Sequence, residues 1–351
     1  MTESQPALET MAAKVLARYG IGRYTARLIR HNENAAFDVS DLATGARYLL
    51  RVHRPVSPSI LGIQHMFEGL TSEAYILQQF REGTGLPLQQ PVRSRAGMYV
   101  TLVDHPEDHT SCPCTLLTWV EGEVLDQGHT AAPELVRGLG QVAARMNAFA
   151  RRWEPDRPLI RPVYDAGKYR HLVARIATGL ELGLFNAAHH SLVLAAMRRI
   201  ETLFAETPRD RDCWGIIHAD LKPDNVIVAE VDADAADADS GPVRERERLV
   251  PIDFCFAGYG YYMFDVGGVL PALNTHLRGA FLEGYQEVLG PLSAADIELA
   301  NACFLLSIFG GVGFSMNRAG AHEWIKRRMP VWAGEYCRRY LDGESLLLIQ
   351  L

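Results

Sequence analysis

Gly215-Ile-Ile-His-Ala-Asp-Leu-Lys-Pro-Asp-Asn-Val-Ile-Val228 decides how this chain is read. His218, Asp220 and Asn225 stand at the spacing H-x-D-x-x-x-x-N, and the apolar run 226–228 leads away from them as a strand. A carboxylate and a side-chain amide at that separation suit chemistry done by positioning. Phosphoryl transfer needs a carboxylate near the attacking hydroxyl and oxygen ligands for a magnesium ion that bridges phosphates, with little covalent work for the protein.

Working outward, Leu249-Val-Pro-Ile-Asp-Phe254 supplies the second carboxylate, a short apolar strand ending in Asp253. Magnesium takes hard oxygen ligands and keeps several waters, so one amide and one carboxylate plus the phosphates suffice. Asp and Asn are common turn residues, and either segment alone would be a weak signal. The two in this order, each beside an apolar strand, carry the reading together.

On these residues the chain resembles the aminoglycoside phosphotransferase and choline/homoserine kinase-like superfamily, relatives of the eukaryotic protein kinases. The resemblance covers about residues 23–270 and is strongest at 215–228 and 249–269. It implies a protein-kinase-like α+β fold with an antiparallel-sheet first lobe and a mainly helical second lobe, using ATP and Mg2+. It implies Asp220 as the base that orients the acceptor hydroxyl, Asn225 and Asp253 as the metal ligands, and His218 and Asp265 as braces of the catalytic loop. Lys222 is read as a cation for the transferring phosphoryl group or as a solvated loop lysine. Family members carry a basic residue on the third strand, paired with a glutamate on the next helix. Tyr48-Leu-Leu-Arg-Val-His-Arg54 offers Arg51 where the family usually has lysine, and Glu73 is its expected partner. A planar guanidinium and a point-charge ammonium present phosphate with different geometry. An exposed position remains the alternative for each. Thr118, Trp119 and Val120, in Leu116-Leu-Thr-Trp-Val-Glu-Gly122, are expected at the adenine ring, with lobe packing as the other reading of Trp119.

Periodicity divides the chain. A helix is expected at 6–19, strands at about 24–30, 35–40 and 46–53 with a hairpin at Asp41, Thr44 and Gly45, a helix at 68–81, and strands at 98–103 and 114–119. Beyond a hinge near 119–125 helices dominate: about 132–150, 165–180, 191–206, 293–308 and 321–340, interrupted by strands at 226–229 and 249–253. The division is therefore 1–120 as nucleotide-binding lobe and 121–351 as helical lobe carrying the catalytic loop and acceptor site. Residues 229–248, acidic and then alternating Arg and Glu, read as a surface hairpin loop, with regulation or docking as the alternative. His31–Phe37 is polar and glycine-free, a weak phosphate loop, and no GxxxxGK[ST] occurs.

The net charge of −7 lacks the basic excess of a nucleic-acid binder, and no partner of that kind is expected. No stretch approaches 18 uninterrupted apolar residues, no export signal is visible, and six cysteines form no CxxC pairs, so a cytoplasmic protein with no membrane partner is expected. Oligomeric state is not legible.

Eleven residues separate Asp253 from Asp265 and none is Ser or Thr, unlike the long phosphorylated loops of protein kinases. The expected acceptor is thus a hydroxyl of a small molecule, of aminoglycoside, homoserine or amino-alcohol type. A bacterial protein Ser/Thr kinase, which Asp-Leu-Lys-Pro-Asp-Asn also resembles, and a nucleotide-binding pseudokinase are the alternatives. Asp224, Glu283 and Glu287 are candidate contacts for a cationic acceptor or plain surface acids; His189 and His190 read as loop or helix-end residues, and Cys255 as packing.

Overall fold

The computed structural model describes residues 5–31, 34–54, 62–125, 132–230 and 247–348. In chain order the elements are α1 (Gln5–Tyr19), β1 (Tyr24–His31), β2 (Asn34–Asp41), β3 (Arg47–His53), α2 (Phe67–Thr84), β4 (Val100–Asp104), β5 (Ser111–Thr118), β6 (Glu123–Val124) and α3 (Pro133–Arg152). Then come α4 (Ala166–Glu181), α5 (Ala187–Glu206), β7 (Trp214–Ile217), β8 (Val226–Glu230), β9 (Glu247–Pro251), β10 (Gly258–Tyr261), α6 (Phe264–Gly267), α7 (Arg278–Leu289), α8 (Ala294–Ser315), α9 (His322–Val331) and α10 (Arg338–Leu341). The acidic-then-basic insert lies, over 231–246, outside the described residues, as do residues 32 and 33 of the expected phosphate loop.

The chain forms two compact units. The first comprises 1–123, 154–162 and 227–256; the second comprises 124–153, 163–226 and 257–351. A single cut between 120 and 121 does not describe this. Two later stretches, one of them carrying Asp253, return to the first unit, and no local periodicity marks a return of that kind.

In the first unit a five-stranded antiparallel sheet runs β1-β2-β3-β5-β4. Helix α1 lays Leu8, Met11, Ala12, Val15 and Leu16, spaced on one helical face, against Phe37, Val39, Leu50, Val52, Cys112, Cys114 and Leu116. The β2–β3 hairpin closes as expected: Asp41 accepts from the Ala43 amide at 3.0 Å and from the Thr44 hydroxyl at 2.7 Å. Register then does the functional work. Arg51 pairs with Thr115 across β3 and β5 while Val52 pairs with Cys114, so Arg51 and Val52 point to opposite faces.

The second unit is mainly helical. Helices α3 and α7 approach closely at two glycines: a Cβ on Gly140 would lie 2.0 Å from the Phe281 carbonyl oxygen, and one on Gly284 would lie 1.9 Å from that of Arg137. Asp165, Asn186 and Ser293 cap α4, α5 and α8 with their side chains. The expected helix over 321–340 is interrupted. Pro330 has no N–H to donate to the preceding turn, and a π-helical turn, Trp332–Cys337, follows α9 before α10 resumes. Helix α8 is long and apolar enough to cross a membrane by composition, and most of it is buried inside this unit. The pairing of β7 with β10, Gly258 opposite Ile217 and Tyr261 opposite Trp214, was not read from the sequence, because each strand is only four residues long.

Candidate active site

In the second unit, β7 delivers the catalytic-loop sequence. His218 is fully buried, and Ala219 turns the chain with φ 65. The loop hangs from Asp265, on α6, whose carboxylate accepts from the His218 amide at 2.7 Å and the Ala219 amide at 2.8 Å. Burial pushes the Asp265 pKa up, and the His218 charge and the two amides pull the other way. The His218 ring adds a second brace, its Nδ1 accepting from the Asp220 amide at 3.3 Å. Both residues thus occupy the supporting positions expected of them.

Asp220 is positioned from the opposite side by its own loop. The Asn225 amide group donates to the Asp220 backbone carbonyl at 2.9 Å and to its carboxylate Oδ2 at 2.7 Å. Both amide hydrogens are spent there, so the Asn225 oxygen is the end left for a cation. Lys222 Nζ sits 3.2 Å from the same Oδ2. The lysine is thus a solvent-exposed loop side chain, 41% accessible, that also pairs with the Asp220 carboxylate.

The first unit holds the other expected residues. Arg51 is buried and splits its guanidinium, Nε donating to Thr115 Oγ1 at 3.1 Å and Nη2 to Glu73 Oε1 at 2.7 Å. Burial lowers the Arg51 pKa, but the charges of Glu73, Cys255 and Asp253 outweigh it and the net shift is upward. The exposed alternative fails for both residues: Arg51 is 5% and Glu73 1% exposed. Asp253 follows β9 with φ 61, and its carboxylate accepts no hydrogen bond among the described residues. A carboxylate and an amide oxygen, each left uncommitted by the protein, are the hard donors that magnesium takes. Among the described residues no group of three or more His, Cys, Asp or Glu side chains could hold a metal. Burial, then the charges of Asp253 and Glu73, hold the Cys255 thiol protonated, and the residue packs rather than reacts.

Of the three expected adenine contacts, two backbone donors are already used. The Thr118 amide donates to Gln90 O at 2.9 Å and the Trp119 amide to Arg47 O at 3.1 Å. Trp119 also lies under the Arg47 guanidinium, 4.4 Å from the ring centre, which makes it a packing residue of this unit. Val120 keeps its N–H without a partner among the described residues.

Glu287 is bound to Arg137 and to Gln141, the latter at 2.8 Å, and so ties α7 to α3 as a surface acid. His189 stands in the first turn of α5, its amide capped by Asn186. Sequence reading missed Arg161. It lies in Arg157-Pro-Leu-Ile-Arg-Pro162 and is 4% exposed, donating to the carbonyls of Gly69, Phe254 and Cys255. A charged residue flanked by Leu159, Ile160, Pro162 and Val163 was the available signal, since a cation set in an apolar run needs a buried partner.

A model of the phosphotransferase enzyme family (APH) matches residues 25–298 of the chain. No curated protein matches it significantly. Among solved structures, it is similar to a microcompartment-associated aminopropanol kinase (22% identity, TM-score 0.75, covering 97% of this chain and 100% of that one). It is also similar to an amicoumacin kinase in complex with AMP-PNP, Ca2+ and Ami (14% identity, TM-score 0.70, 97% and 96% covered). A third similarity is to a Plasmodium vivax ethanolamine kinase (13% identity, TM-score 0.61, 96% and 91% covered). With the match spanning well over half of its length and the catalytic loop built as described, the chain belongs to the phosphotransferase enzyme family.

Proposed function

We propose that this phosphotransferase moves the γ-phosphoryl group of ATP to a hydroxyl of a small molecule of amino-alcohol or aminoglycoside type. One observation carries the reading: the Asp220 carboxylate, held at 2.7 Å by the Asn225 amide, is aimed by its own loop. In this reading Asp220 orients the acceptor hydroxyl and takes its proton. Lys222 offsets charge beside it, and Arg51, aligned by Glu73, faces the nucleotide phosphates. Asn225 and Asp253 are the residues that would each offer an oxygen to magnesium, which would supply charge neutralisation at the phosphates. Val120 is the backbone donor assigned to adenine.

A small acceptor is favoured over a protein by the stretch that follows Asp253. Phe254–Phe256 forms a 3-10 turn with Phe254 and Cys255 buried, and β10 is paired along its length with β7. It contains no Ser or Thr to phosphorylate. The similarity to an aminopropanol kinase and an ethanolamine kinase supports the amino-alcohol class. The test is ADP release from ATP, and separately GDP release from GTP, with a panel of aminopropanol, ethanolamine, choline, homoserine and kanamycin. Acceptor-stimulated release lost in D220N supports the proposal; nucleotide binding without release for any acceptor overturns it.

A further inference from the structure

Arg161 reaches the first unit on the short stretch 154–162, between α3 and α4. Its Nη1 donates to the Gly69 carbonyl in the first turn of α2 at 3.0 Å. Its Nη2 donates to the carbonyls of Phe254 at 2.9 Å and Cys255 at 2.6 Å, the two residues directly after Asp253. The same Nη1 lies 3.9 Å from Glu73 Oε2, an oxygen with no hydrogen-bond partner. One planar group therefore touches both the helix that carries Glu73 and the turn that carries Asp253.

Both ends of this link are fixed. A Cβ on Gly69 would lie 2.0 Å from the Ile63 carbonyl oxygen, so the backbone there is packed against its neighbour and the Gly69 carbonyl has little room to move. Asp253, with φ 61, is in a conformation that residues other than glycine keep only where the surroundings over-determine it. Pinning the next two carbonyls on one guanidinium is such a determinant. The charges agree with it: Arg51 and Arg161 are two buried cations, Glu73 touches both, and Asp253 acts on Arg51 as a second anion. A lysine could not do the same, because its three donors radiate from one nitrogen.

We propose that Arg161 is a positioning residue that anchors the turn after Asp253 to helix α2 and so aims the Asp253 carboxylate. The consequence for magnesium rests on the function proposed above; the anchoring itself does not. R161K, which keeps the buried charge, is the primary variant, and R161Q, which keeps one donor group, is the second.

In the metal-free protein, hydrogen exchange at the amides of 254–257 should quicken at least tenfold in R161K and further in R161Q. The magnesium concentration that half-maximally tightens AMP-PNP binding should rise by about tenfold, the scale seen when a partner behind a metal ligand is lost. AMP-PNP affinity without magnesium should change less than twofold. Adding R161K to D253N should raise the magnesium requirement no further. Unchanged exchange at 254–257, an equal loss of affinity without magnesium, or additivity with D253N would overturn the proposal. Quickened exchange in a protein whose wild-type AMP-PNP binding ignores magnesium would overturn the metal assignment while supporting Arg161 as the anchor of the turn.

Discussion

The Asn225 side-chain amide donates to the Asp220 carboxylate at 2.7 Å, so a residue five positions along the chain fixes where that carboxylate lies. D220N keeps the size of the side chain but removes the acceptor for a proton. Turnover should fall by about 10²–10⁴-fold, the range general-base catalysis supplies. Nucleotide affinity, measured with a fluorescent analogue, should stay within twofold. A D220N protein that turns over within tenfold of wild type would show that the hydroxyl is oriented by something else.

Around Glu73 the prediction is an ordering. E73A removes the carboxylate shared by two buried guanidiniums, Arg51 and Arg161, whereas R51M leaves that carboxylate with Arg161 still 3.9 Å away. Breaking a buried pair by removing one partner costs about 3–5 kcal/mol. Urea unfolding should place E73A at or above that range and R51M below E73A; the reverse order would mean that Arg161 gives Glu73 no support.

Asp265 is expected to be the stability determinant of the catalytic loop. Its carboxylate holds two backbone amides, and hydrogen bonds to charged groups contribute about 1.5–3 kcal/mol each. D265A should therefore lose about 3–6 kcal/mol in urea unfolding, by the same rule. D265N, with a single acceptor oxygen, should fall between D265A and wild type.

Acid should weaken the first unit through a histidine. His53 and His65 are buried with their Nδ1 atoms 3.0 Å apart, so one ring donates and the other accepts. Burial, and after it the charges of Arg51, His65 and Arg161, hold the His53 pKa well below its usual 6.5. The unfolded chain binds this proton as pH drops through about 6.5 and the folded chain does not, so stability is lost as pH falls, by up to about 1.4 kcal/mol per pH unit. Between pH 6.5 and 5 wild type should lose about 2 kcal/mol more than H53N in paired urea titrations. Parallel pH curves for the two proteins would place His53 in a protonatable setting.

Much of this was legible because local rules act over a few residues. The stripe Leu8, Met11, Ala12, Val15 and Leu16 gave α1, and Asp41, Thr44 and Gly45 gave the β2–β3 turn. Asp220 with Asn225, and Arg51 with Glu73, were readable from spacing and resemblance together. For Arg161 the apolar flanks point to burial but not to what it binds, since its partners lie 92–94 residues away. The commitment of the Thr118 and Trp119 amides was hidden for the same reason. It depends on Gln90 and Arg47, which only the folded sheet brings alongside.

Three separated stretches assemble the first unit, and this bears on how the gene can be dissected. A fragment ending at residue 123 would keep Arg51 and Glu73 but lose the guanidinium that Glu73 shares and the Phe254 ring that meets Phe80 edge-on at 6.3 Å. Such a fragment should not behave as an autonomous nucleotide-binding module. Split-protein complementation should succeed only at breakpoints that leave 154–162 and 227–256 on the same polypeptide.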